Sequence, residues 1–238
     1  MLANLSNLAI LGNEAQYAGT NIILRGAAAA ARVQELLAQG VALAGGSFPG
    51  GNPANVTLFV DGRSQNLGLS ITRGIDFTAT WSGEIGADDR LTANLSGTYL
   101  TKYEVAVTPT APLVDRRNVI FNPLKFKGRA SLLWDHGPFS TRLLVTHVGG
   151  YQNNLAVLVQ SVKSYTPVDL SFNWRVGDAK DSGFFAKGLT VGFEVRNLFD
   201  RDPPYVNLAP SGNGSGGYDA TASDPVGRLF AVNVRKSF

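Results

Sequence analysis

The sequence predicts an all-β fold: an antiparallel transmembrane β-barrel segment of about seven long strands, open as a fragment, with one short helix near its start. Three observations carry this. Apolar and polar residues alternate over stretches much longer than the roughly 5 to 6 residues of a typical globular strand. The links between these stretches alternate short and long. All three Trp residues fall on the apolar parity, a few positions before a short link.

Bulk composition is compatible. Charged residues make up 16% of the 238, against about 25% in soluble domains. Glycine is abundant, at 27, as turn-rich β-proteins need. A net charge of +3 is too mild to suggest nucleic acid, and no nucleic-acid partner is expected. There is no Cys, so neither a disulfide framework nor thiolate chemistry. No run of 18 apolar residues exists, so no transmembrane helix is expected. The opening MLANLSNLAILGNEAQ lacks the basic start of a secretion leader. The expectation is a cytoplasmic protein or an incomplete gene product.

Residues 1–70 predict an extracellular loop region. Residues 1–24 carry no clear signal. The stretch RGAAAAARVQELLAQGVALAG favours a helix near 26–44 by its Ala, Leu, Glu and Gln content. GGSFPGGNPAN predicts a loop. VTLFVDGRSQNLG predicts a strand leading into the barrel.

Residues 71–238 predict the barrel strands. Over about 71–85, Ile71, Ile75, Phe77 and Trp81 oppose Thr72, Asp76, Thr80 and Glu84. Over about 90–104, Leu91, Leu95 and Tyr99 oppose Thr92, Asn94, Ser96 and Thr98. Over about 121–135, Phe126, Ala130, Leu132 and Trp134 oppose Lys125, Lys127, Arg129 and Ser131, with Leu133 breaking the pattern. The segment of about 139–150 is weaker: Phe139, Leu143 and Val145 oppose Ser140, Arg142 and Thr146. Over about 165–176, Val168, Leu170, Phe172 and Trp174 oppose Asp169, Ser171, Asn173 and Arg175. Over about 188–199, Leu189, Val191, Phe193 and Val195 oppose Thr190, Glu194 and Arg196. The last, about 226–238, sets Phe230, Val232 and Val234 against Asn233 and Arg235. A tilted strand of about 9 to 11 residues crosses a bilayer. A soluble β-sandwich also alternates, but with shorter strands.

GADDR and DHGP are short links, while 105–120, 151–164 and 200–225 are long. Outer-membrane barrels have short periplasmic turns and long extracellular loops. Trp81, Trp134 and Trp174 therefore form a girdle on the periplasmic side, with Tyr99, Tyr103, Tyr151 and Phe199 toward the long loops. Asn197 and Asp200 are expected to tie the strand end through local side-chain bonds. Pro203 and Pro204 stop the ladder.

VRNLFDRDPPYVN at 195–207, followed by a Gly-rich loop and DPVGRLFAVNVRKSF, resembles the C-terminal signature of TonB-dependent outer-membrane receptors. NLGLSITRGIDFTATW, GTYLTKYE, GRASLLW and VGGY fall in the order that family shows. The resemblance covers about 66–238 well and the earlier residues loosely. It implies a barrel of roughly 22 strands around a plug. It also implies energised uptake of a scarce ligand: a ferric siderophore, cobalamin, haem or a saccharide. The plug and the TonB-contacting box of that family have no counterpart here. The expectation is a C-terminal barrel fragment that does not transport alone. Its expected partners are outer-membrane lipid, the missing plug and barrel strands, and TonB only through that plug. The barrel assembly machinery is expected to engage Phe238. The localisation implied is the outer membrane of a Gram-negative bacterium. A passive porin fragment and a small structural or adhesive barrel are the alternatives.

No catalytic chemistry is legible. His136 and His147 lie far apart in the strand layout, and no metal-ligand spacing occurs. GNGSGG at 212–217 has no strand-to-helix context for a phosphate cradle. No cofactor, metal or catalytic residue is expected, and no ligand-binding residue is assigned. The inward charges are Lys125, Lys127, Arg129, Arg142, Arg175, Arg196 and Arg235 against Asp76, Glu84, Glu104, Asp135, Asp169 and Glu194. They nearly balance, which favours cross-strand pairing over an anion-attracting lumen.

Overall fold

The computed structural model describes residues 10–42, 47–62, 68–155, 157–178, 186–210 and 216–237. In chain order the elements are β1 (Ile23–Arg25), α1 (Ala27–Ala38), β2 (Leu58–Val60), β3 (Leu69–Glu84), β4 (Asp89–Ala106), β5 (Val114–Asp115) and β6 (Phe126–His136). They continue with β7 (Phe139–Val148), β8 (Tyr151–Asn153), β9 (Gln160–Val162), β10 (Val168–Arg175), β11 (Leu189–Arg196) and β12 (Leu229–Lys236). The chain divides into two compact units. The first comprises the residues up to Ile71 with Glu104–Asp115, and the second comprises Thr72–Tyr103 with Arg116 onward.

The large sheet has the order β12-β11-β10-β7-β6-β4-β3, an up-and-down meander of seven long strands, with β5 beside β4. Its first and last strands do not pair with each other, so the barrel is not closed. The register converts sequence alternation into rows. Phe230, Val195, Leu170, Leu143, Leu132 and Ala93 lie directly opposite one another across six strands. One residue along, the row reads Ala231, Glu194, Ser171, Arg142, Leu133 and Thr92. This second row is polar except at Ala231 and at Leu133, where the sequence pattern also breaks. Between β3 and β4, Thr98 donates to Asp76, Thr80 to Asn94, and the Ser82 and Thr92 hydroxyls share a bond.

Glycine has a specific use in this wall. Gly97 and Gly128 sit directly opposite each other. A Cβ on Gly97 would come within 2.6 Å of the Phe77 ring. The missing side chains let Phe77 and Phe126 stack at 6.5 Å, an aromatic cover over two strand glycines.

Several strand ends differ from expectation for local reasons. β6 starts at Phe126, not 121, because Asn118 and Phe121 adopt positive φ. There Asn118 accepts from the Lys125 N–H, closing a turn instead of a ladder. β11 stops at Arg196 because Asn197 has φ of 50°. β6 and β7 are joined by Gly137–Pro138 alone, with Gly137 at φ 51°, the position a two-residue hairpin reserves for glycine.

In the first unit, β2 pairs with β1, not with the wall. The missed partner is the three-residue β1, too short for periodicity to reveal. α1 ends at Ala38, short of the expected 44. Gly40 turns left-handed at φ 81°, and the Gly40 and Val41 N–H groups donate to Leu37 and Leu36. This doubly bonded glycine stop closes the helix. Residues 43–46 lie outside the described residues.

Most buried hydrophobic residues lie outside the wall strands, Ala106 of β4 and Val195 of β11 being exceptions. Ile120, Leu124, Tyr151, Val162 and Val206 form a core, with Val148, Leu208 and Ala222 packed against it. Nearly all come from the long links between wall strands.

Candidate functional site

Two features of the second unit could meet other molecules: the two faces of the wall, and the long-link end of the sheet. One wall face is apolar and bare. Val232 is 70% exposed, Phe230 60%, Trp81 54% and Leu132 42%. Contiguous apolar surface on this scale is rare on soluble monomers and suits hydrocarbon. The Trp girdle gathers at the short-turn end. Trp174 and Phe139 stack at 6.1 Å, and Trp134 donates its indole N–H to Asp89 at 2.8 Å. His136, expected in a turn, closes β6 instead, with Nδ1 2.9 Å from the same Asp89 oxygen. Toward the other end, His147 meets Thr166 Oγ1 at 2.8 Å and packs on Phe126. The two histidines are thus held at opposite ends of the wall. Among the described residues no group of three or more His, Cys, Asp or Glu could hold a metal ion.

The opposite face is polar, and three contacts of its charged residues illustrate how they are held. Arg196 bonds Glu194 two residues back on its own strand at 2.9 Å. Arg90 donates to the Ser82 hydroxyl. Asp169 accepts the Asn197 N–H where β11 ends. Arg142, Asp169, Ser171, Asn173, Glu194 and Asn233 together line a recess of about 300 Å³. Lys125, assigned to the lumen by parity, instead lies 5.4 Å from the Tyr99 ring centroid. It precedes the first residue of β6, so strand alternation does not bind it.

At the long-link end the backbone is held by side chains. The Asn197 side chain both donates to and accepts from Arg201. Asp200 accepts the Arg228 N–H at 2.7 Å, joining the start of the last link to its end. Asn153 is fully buried and donates to Gln160 and to the Asn207 carbonyl. Gln160 in turn bonds the Tyr205 carbonyl and the Asn207 N–H. The β8–β9 hairpin is thereby bound to the last link.

Tyr151, expected among the interface aromatics, is only 5% exposed in this core. Burial, and then its hydrogen bond to Asp219, push its phenol well above the usual range. Sequence parity could not find this: Asp219 follows the Gly-rich stretch, remote in the chain. Most of 212–217 and the terminal Phe238 lie outside the described residues.

A sheet that bares an apolar face, lines the other with polar groups, and gathers its long links at one end is the wall of a transmembrane β-barrel. A family model described as "TonB dependent receptor-like, beta-barrel" matches residues 37–198. The chain belongs to that family, an outer-membrane family of receptors and transporters. No curated protein and no solved structure matches the chain. The matched region begins at the end of α1, upstream of the segments that carry the resemblance best, and stops two residues beyond β11. β12 lies outside it yet stays in unbroken register with β11 from Leu229 to Lys236.

Proposed function

We propose that this chain forms the C-terminal part of the barrel of a receptor that takes up a scarce ligand across the outer membrane of a Gram-negative bacterium. The observation that carries the reading is the family match over a wall whose apolar face is bare. The ligand is of the ferric siderophore, cobalamin, haem or saccharide class. Uptake is energised by TonB, acting on a plug domain that sits against the polar face of the wall. The recess lined by Arg142, Asp169 and Glu194 offers that plug donors and acceptors. The 238 residues alone do not transport, because an unclosed sheet leaves edge N–H and C=O groups unpaired in lipid. Closure comes from further strands of the same receptor. Phe238, last in β-parity with Val232 and Val234, is the contact for the barrel assembly machinery.

The test has two parts. The reading frame upstream of codon 1 is sequenced, and uptake of labelled ligands of each class is measured in cells expressing that whole frame. Continuation into a plug domain and leader, with uptake lost when the inner-membrane proton gradient is collapsed, supports the proposal. A promoter and start site directly before Met1, or uptake indifferent to the gradient, overturns it in favour of a passive or structural barrel.

A further inference from the structure

The apolar face of the wall carries positive charge near its long-link end. On β3 the positions that share this face run Ile71, Arg73, Ile75, Phe77, Ala79 and Trp81. The register against β4 confirms the placement of Arg73. Thr98 bonds Asp76, a Cβ on Gly74 would meet Leu100, and the Thr101 hydroxyl donates to the Arg73 carbonyl at 3.2 Å. Arg73 therefore stands beside Thr101, on the face that presents Phe77 and Trp81.

Lys125 reaches the same face from the other side of β4. Its carbonyl accepts the Leu100 N–H at 2.8 Å, and its ammonium lies 5.4 Å from the Tyr99 ring centroid. Neighbouring strands lie about 4.8 Å apart, so the backbones of Arg73 and Lys125 are roughly 10 Å apart across β4. A third guanidinium, that of Arg117, donates to the Leu100 and Thr101 carbonyls. Among the described residues neither Arg73 nor Lys125 makes a salt bridge. The acidic residue on this face of β3, β4 and β6 is Asp89, at the opposite, short-turn end, where Trp134 and His136 engage it. A lipid-facing cation is tolerated at the membrane interface and is costly deeper. Tyr99 belongs to the aromatic belt that marks this interface. Cations at head-group depth with no acidic partner in the chain suit an anion of the membrane itself.

Deeper along the same face the wall is hollowed. A groove of about 440 Å³ runs over Ala79, Ala93 and Ala130, between Trp81, Leu95 and Val145. Leu95 is four residues from Tyr99 along β4, about 13 Å. Phe77 and Phe126 stack across the interval, beside Gly97. A head group at Arg73 and Lys125 would thus lay a long acyl chain over continuous apolar surface and into the groove.

We propose that this face binds an anionic lipid of the outer leaflet, with its phosphate on Arg73 and Lys125 and an acyl chain over Ala79, Ala93 and Ala130. The site rests on the reading of the wall as an outer-membrane barrel and goes beyond uptake, since it lies on the lipid side and takes no transported ligand.

The test uses the full chain in micelles of a neutral detergent, with Trp81 as reporter because it lines the groove. Phosphatidic acid and phosphatidylcholine, each with brominated acyl chains that quench tryptophan on contact, are titrated in at low mole fraction. The same titrations of Trp81→Phe isolate the Trp81 signal. Saturable quenching by phosphatidic acid is expected, half-complete at a mole fraction at least about fivefold below that for phosphatidylcholine, the factor one basic residue near an anionic lipid supplies. Arg73→Gln combined with Lys125→Gln should erase this preference. Lys127→Gln, on the polar face, should keep it. Ala130→Leu, which fills the groove, should weaken quenching by phosphatidic acid at least about fivefold. Circular dichroism verifies the β-sheet in each variant. Four results would each overturn the proposal: equal quenching by the two lipids, a preference that survives the Arg73 and Lys125 substitutions, an equal loss in Lys127→Gln, or undiminished quenching in Ala130→Leu. With the β-sheet spectrum intact, any of them would leave the uptake reading standing.

Discussion

Ile120 and Val206 are 2% and 1% exposed, whereas Val232 and Val234 are 70% and 67% exposed. The first pair lies in links between wall strands and the second on a wall strand. In a water-soluble protein the distribution would be reversed, with links wet and alternate strand positions buried. The difference shows that the two regions face different solvents. The exposed apolar side chains of the wall suit hydrocarbon and need no protein partner. The links lie beyond the hydrocarbon, so they gain by burying their own apolar residues together. Each region obeys the hydrophobic effect, but only the links obey it internally.

The largest test of this contrast is Ile120→Ala. It leaves a void in the link core and should cost about 2 to 5 kcal/mol locally. Hydrogen exchange reads it directly: the Ile120, Gln152, Val148 and Tyr165 amides, which bond within this region, should lose protection. The Leu170 amide region of the wall should not. Equal loss in both regions would mean that the link core is not a separate unit of stability.

The two faces of the wall can be separated at neighbouring residues. Leu132→Lys places a charge in lipid and should cost about 2 to 4 kcal/mol near the bilayer midplane. Leu133→Lys, on the polar face, should stay within about 0.5 kcal/mol. Unfolding in lipid vesicles measures both, and similar costs would break the assignment of faces.

A smaller effect sharpens the contrast through pH. Tyr151 is held protonated by burial and by Asp219. Because its phenol is raised in the folded chain, its contribution to the link core is intact below the unfolded value of about 10. It is lost as pH climbs from there through the raised folded value, where the unfolded chain binds fewer protons. Tyr151→Phe should cost about 1 kcal/mol at neutral pH and remove this alkaline loss. Absorbance of tyrosinate, followed alongside hydrogen exchange, checks it. An unchanged alkaline profile in Tyr151→Phe would show that another group governs the transition.

The wall was legible because period-2 alternation is a local property. Phe193 and Val195 point one way wherever that strand pairs, and the break at Leu133 reappears in the polar row it occupies. The strand ends were legible only where a residue type imposed them. Asn197, with its own side chain closing the turn, was anticipated. The left-handed Phe121 was not, since nothing in its type demands that conformation. The links were opaque for a different reason. The contacts of Tyr151 with Asp219, Asn153 with Asn207, and Asp200 with Arg228 join residues far apart in the chain, and no periodicity encodes them. Lys125 shows the limit of parity itself, because a residue one step outside a strand is free to reach the other face.

By itself, the sequence determined the all-β class, the long strands with one apolar and one polar face, the girdle of three tryptophans and the absence of cysteine chemistry. These follow from residue types repeating at fixed short spacing. Only the tertiary structure decided which residues form a core, that β1 and β2 pair while α1 stops at Ala38, and that Lys125 reaches the Tyr99 ring on the face that carries Arg73. Those are properties of segments brought together across long stretches of chain. Their energetics depend on packing and desolvation, which a linear pattern does not contain.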